Sequence, residues 1–74
     1  MATVFVKELD REVEVVLVNG CYFTEYGEYY ACDEDEVVEL YQKGEMKFDT
    51  YNNEFYMLID EGTVYTVATI KEIN

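Results

Sequence analysis

The chain contains no histidine, serine, tryptophan or proline, and only five cationic side chains among 74 residues. Without histidine or serine there is no Ser-His-Asp triad, no Cys-His pair and no imidazole metal site. No GxGxxG, phosphate-loop or CxxC pattern stands in their place. An enzyme built here would have to run on carboxylates, tyrosines and two cysteines. Such chemistry needs a clustered, desolvated carboxylate pair, and no spacing points to one, so the chain reads as non-enzymatic with no cofactor. Long hydrophobic runs are missing too: the longest aliphatic stretch is residues 15–18. The N-terminus lacks a charged segment followed by an apolar one, so neither a leader nor a membrane span is expected and the protein reads as cytoplasmic. Cys21 and Cys32 are then expected to be reduced.

What is present is acid and aromatic. Seventeen Asp and Glu give a net charge of -12, half the residues are apolar, and there are eight tyrosines and four phenylalanines. A disordered acidic tail carries far fewer aromatics, so the charge belongs to a folded object. At this length residues 1–74 form one domain, in which roughly 60% of the unfolded chain's surface can be buried. The stretch YGEYYACDEDEVVELYQKG, residues 26–44, organises the rest. It joins a tyrosine-rich strand end to the one convincing helix through four consecutive acids, Asp33, Glu34, Asp35 and Glu36.

Taken in order, residues 3–9 and 12–18 read as a hairpin turning at Asp10-Arg11, with Val6 opposite Val15, Val4 opposite Leu17 and Lys7 opposite Glu14. Asn19-Gly20 is the strongest short turn signal and is expected to send residues 21–25 back beside the second strand. A two-residue turn at Tyr26-Gly27 would lead into a short strand over residues 28–31 and set Cys21 opposite Cys32, either as two small apolar thiols or as a cross-strand disulfide. The helix spans about residues 33–43, capped by Asp33, with Glu36 three residues on and Gly44 closing it. Val37, Val38, Leu40 and Tyr41 form its apolar face. Residues 46–51 and 54–59 flank a turn at Asn52-Asn53 that would oppose Phe48 to Met57, and Asp60-Glu61-Gly62 turns into a long β-branched strand over residues 63–73. The expected class is therefore α+β: about six strands in one strongly bent antiparallel sheet, with one short helix packed on it. EVEVVLVNGCYFTE from Glu12 faintly echoes EFYMLIDEGTVYTV from Glu54.

Capping explains one or two acids at the helix start, but four in a row, with Glu28 before and Glu39 after, accept repulsion beyond what capping needs. Calcium does not account for them, because counting an EF-hand loop from Asp33 puts Val37 and Val38 at positions 5 and 6. Tyr26, Tyr29 and Tyr30 cluster beside the acids in sequence, while Tyr41 and Tyr65 fall in apolar patterns and are expected in the core. The predicted partner-binding set is Tyr26, Glu28, Tyr29, Tyr30, Asp33, Glu34, Asp35, Glu36 and Glu39, facing Arg and Lys of a basic protein. Glu8, Asp10, Glu12 and Glu14 would add to it only if the first hairpin shares that surface. Direct binding to nucleic acid is excluded, since such a surface repels phosphate.

No family motif matches this chain residue by residue. In size, acidity and absence of catalytic residues it resembles the small phage-encoded inhibitors that occupy a host protein's DNA-binding groove, among them anti-CRISPR proteins, anti-restriction proteins and inhibitors of uracil-DNA glycosylase. That resemblance implies a stoichiometric DNA mimic acting on a basic, nucleic-acid-binding protein in the host cytoplasm. The alternative is a small acidic interaction or homo-oligomeric adaptor module, so that the chain would be a monomer or homodimer.

Overall fold

The computed structural model describes residues 1–24, 26–59 and 62–73. Among these residues seven strands and one helix follow in the order β1 (Thr3–Val6), β2 (Arg11–Leu17), β3 (Cys21–Phe23), β4 (Tyr29–Ala31), α1 (Glu34–Gln42), β5 (Lys47–Asp49), β6 (Glu54–Ile59) and β7 (Thr63–Glu72). The class is α+β as expected, but the strands form two sheets. A five-stranded antiparallel sheet runs β1-β2-β7-β6-β5, and β3-β4 stands apart as a two-stranded ribbon. The ten-residue β7 is the spine, hydrogen-bonded to β2 on one side and β6 on the other.

Period-two alternation decides what is buried. Val4 and Val6 on β1, Val13 and Val15 on β2, and Phe55 on β6 all point to one face, where α1 lays Val37, Leu40 and Tyr41 against them. Phe55 is the centre of this core: it is fully buried, and Tyr41 and Phe48 meet it edge-on at 5.4 and 5.0 Å. A bulge where β6 pairs with β7 gives Val67 and Ala68 together to this region, and both are fully buried. At about 1.5–3 kcal/mol for each large apolar side chain removed from water, this one cluster carries most of the driving force.

Two hairpin turns differ from expectation for a shared reason, and a third for another. A two-residue hairpin turn of the favoured type needs positive φ at both central residues, which costs a non-glycine residue energy. The first hairpin instead pairs Val4 with Val13 and Val6 with Arg11, leaving residues 7–10 as a four-residue loop in which Asp10 takes positive φ, at 55°. The second pairs Phe48 with Phe55 rather than Met57, and in its loop only Asn53 takes positive φ, at 56°. Both registers slip by an even number of residues, so every side chain keeps its face. Asn19-Gly20 makes no hairpin at all. β3 does not pair with β2; Val18 and Asn19 donate their amides to Val67 O, and the chain leaves the sheet. The echo between residues 12–25 and 54–67 therefore has no structural counterpart, since β6 and β7 pair across Gly62 whereas β2 and β3 do not pair. The Asp60-Glu61 part of that last turn lies outside the described residues.

In the ribbon, Phe23 faces Tyr29 and Cys21 faces Ala31, one residue out of the expected register, so Cys32 donates to Gly20 O instead of opposing Cys21. Gly27 is the reason: at φ 77° it lets Thr24 donate to Glu28 O and accept from the Gly27 amide. Both cysteines are free thiols.

Candidate functional site

The helix start is built as its sequence implies. Asp33 is extended at the N-cap and accepts the Glu36 amide at 2.8 Å, while Glu34, Asp35 and Glu36 fill the first turn, where the dipole favours negative charge. At the other end the amides of Gly44 and Glu45 return to Tyr41 O and Leu40 O, with Gly44 at φ 82°. That closure throws Glu45 back beside the helix.

The ribbon lies alongside α1 with its Tyr22 and Tyr30 face. These two rings stack at 5.7 Å, and Tyr30 Oη donates to Glu28 at 2.9 Å. Between ribbon and helix runs an open groove of about 510 Å³, lined by Tyr22, Asp33, Asp35, Glu36, Glu39 and Glu45. Lys43 and Leu40 also border it, and Lys43 pairs with Glu39 at 3.0 Å, so one of the five carboxylates is already neutralised. The Tyr22 phenol is held above its ordinary pKa, chiefly by hydrogen bonding to Glu36 and then by burial, which keeps it a donor beside the acids. A second groove, of about 620 Å³, continues from the first through Tyr22, Thr24, Leu40 and Glu45, and adds Phe23, Tyr26, Glu28, Met57 and Leu58. One end of the combined cleft is acidic, and the other is aromatic and apolar.

Of the predicted set, Asp33, Asp35, Glu36 and Glu39 come together on the acidic groove, Tyr26 and Glu28 border the apolar one, and Tyr30 backs Tyr22. Two members fall elsewhere. Tyr29 lies on the other face of the ribbon, edge-on to Phe23 at 5.5 Å, and half-buried Glu34 lies outside the groove lining. Tyr22, Glu45 and Lys43 were missed by sequence reasoning. Tyr22 was readable only from the correct ribbon register, which pairs it with Tyr30.

The hairpin acids do not share this surface. Glu12 and Glu14 alternate with buried Val13 and Val15, and so sit on the sheet face away from the helix. Glu8, in the first loop, accepts the Tyr41 hydroxyl, which also accepts the Lys7 amide at 3.2 Å. Burial and Glu8 together push the Tyr41 phenol up to about 12. Cys32 rises to about 11, first through burial and then through Glu36 and Asp33, the reverse of what an activated nucleophile requires. Tyr65 bonds Cys21, is pushed up to about 12 by that bond and by burial, and packs edge-on against Phe23 at 5.0 Å.

Among the described residues no group of three or more His, Cys, Asp or Glu is placed to hold a metal ion. No helix among them is long and apolar enough to cross a membrane. Comparison of this chain with protein-family models, with curated proteins and with solved structures finds no match.

Proposed function

We propose that this protein is a non-enzymatic, stoichiometric inhibitor that offers the groove between α1 and the β3-β4 ribbon to the basic, nucleic-acid-binding surface of another protein. Carboxylates of the groove stand where phosphates would, and Tyr22, Tyr26 and Tyr30 supply ring faces and hydroxyls for Arg and Lys. The observation that carries the reading is the convergence of Asp33, Asp35, Glu36, Glu39 and Glu45 around one tyrosine in a single cleft. The raised thiol pKa of Cys32 fits a binder better than a catalyst. Because Glu12 and Glu14 stand on the opposite sheet face, the mimicry is of a short run of nucleic-acid backbone rather than of a whole duplex. A phage-type anti-defence role, of the anti-CRISPR or anti-restriction kind, is the setting in which such a blocker acts.

Affinity capture from a host lysate at low salt tests this. The expected result is one nucleic-acid-binding protein that leaves as salt rises and is displaced by duplex DNA. A partner indifferent to both salt and DNA would overturn it. One observation favours the adaptor alternative: Phe5, Val16, Leu58 and Val64 are exposed, on the sheet face that α1 leaves uncovered. Self-association at micromolar concentration, seen by sedimentation, would support that reading instead.

A further inference from the structure

β5 covers only half of β6. Its three residues pair with residues 54–56, and β6 then runs on as Met57, Leu58 and Ile59, where, among the described residues, only β7 pairs with it. A strand edge left this way presents unpaired N–H and C=O groups to any extended chain that fits beside it. Proteins usually blunt such edges with charge; the outer edge formed by β5 is short and carries Lys47 and Asp49. The 57–59 edge carries no charge, and Leu58 is 62% exposed on it.

This edge opens onto the apolar groove. Met57 and Leu58 are neighbours on a strand and point to opposite faces, yet both line the cleft, so the cleft runs past the edge itself rather than over either face. Its other wall brings Phe23, Tyr26 and Glu28, and it continues into the acidic groove. An apolar slot beside an open strand edge, leading to five carboxylates, complements one kind of occupant.

We propose that the 57–59 edge of β6 receives an extended, basic segment of the partner protein as an added strand, with its apolar side chains in the aromatic groove and its Arg or Lys side chains reaching the acids of α1. This rests on the reading of the cleft as the docking site of a basic protein. Main-chain hydrogen bonds supply the affinity, and the alternating side chains supply the selection. Successive side chains of an extended segment point to opposite sides, so alternating basic and apolar residues give it one basic side, turned towards the acids of α1, and one apolar side, turned towards the aromatic wall.

The probe is an acetylated, amidated hexapeptide alternating arginine and valine, titrated into the full chain while amide hydrogen exchange is followed by NMR. The expected result is slowing of at least one amide among residues 57–59 by about tenfold or more. Backbone N-methylation of the peptide on its hydrogen-bonding edge should weaken binding by about tenfold or more, as loss of main-chain bonds requires. Leu58→Lys should also abolish binding while leaving the circular dichroism spectrum unchanged. Equal binding by the N-methylated peptide, or protection confined to β1, overturns the added strand. If the peptide perturbs Asp35 and Glu39 but protects no amide among 57–59, the added strand fails and the acidic docking site survives. Equal protection by a glutamate–valine peptide would overturn the basic occupant, and the functional reading with it.

Discussion

Tyr41 ties the helix to the first hairpin loop through one hydroxyl, which donates to Glu8 and accepts from the Lys7 amide. Tyr41→Phe keeps the ring on Phe55 and leaves that amide and carboxylate without their partner, so unfolding in urea should show a loss of about 1–2 kcal/mol. The raised phenols and thiol set a pH dependence of definite sign. Tyr41 and Tyr65 stand at about 12 against an ordinary 10.0, and Cys32 at about 11 against 9.0. Groups raised on folding lend stability that is complete below their unfolded values. The urea midpoint should therefore be level up to about pH 9 and fall as the pH rises through 11 and 12. Lys43→Gln should leave stability nearly unchanged, because its pair with Glu39 is solvent-exposed and screened. By freeing Glu39 it should strengthen capture of a basic partner, read as a higher salt concentration for elution.

At the scale of elements, α1 was the most legible part of the sequence, because a cap, an apolar stripe and a closing glycine agree with one another. Its termini are correspondingly sensitive. Asp33→Ala removes the bond to the Glu36 amide and should cost about 1 kcal/mol. Gly44→Ala forces a side chain into φ 82° and should cost a similar amount, about 1 kcal/mol. The hairpins were legible as hairpins but not in register. Pairing rules reward apolar residues opposite apolar residues, and Val6 opposite Val15 scores as well as Val4 opposite Val13. What decides between them is turn strain: a four-residue loop asks for positive φ only at Asp10, and such backbone preferences are weak beside the hydrophobic pattern. That pattern survives an even slip, so Val4, Val6 and Val15 share one buried face although their cross-strand partners differ from those expected. Asn19-Gly20 failed differently, since a local turn signal cannot report that β7, nearly fifty residues away in sequence, takes the place beside β2.

At the scale of the whole molecule, a net charge of -12 makes the fold and its interactions respond to salt in opposite directions. Added monovalent salt should raise the melting temperature by screening self-repulsion and should lower affinity for a basic partner. The core is small enough to hang on one residue. Phe55→Ala should cost about 3–5 kcal/mol, which in a domain of this size removes most or all of the folded population at 37 °C. The candidate site was half legible. Its helical acids announced themselves as a run, whereas Tyr22 and Glu45 enter only through the ribbon's docking and the helix closure, which are tertiary events. The division of acids between the groove and the far sheet face was not readable until the sheet's faces were assigned.

The most direct test of the acidic cleft is the salt dependence of affinity for the captured partner, measured for the natural chain and for a variant carrying Asp35→Asn and Glu39→Gln. If the cleft takes the place of nucleic-acid phosphates, log affinity falls linearly with log salt, the slope is shallower for the variant, and the variant binds about tenfold more weakly at low salt. An unchanged slope and affinity would place the contact elsewhere on the molecule and contradict the account.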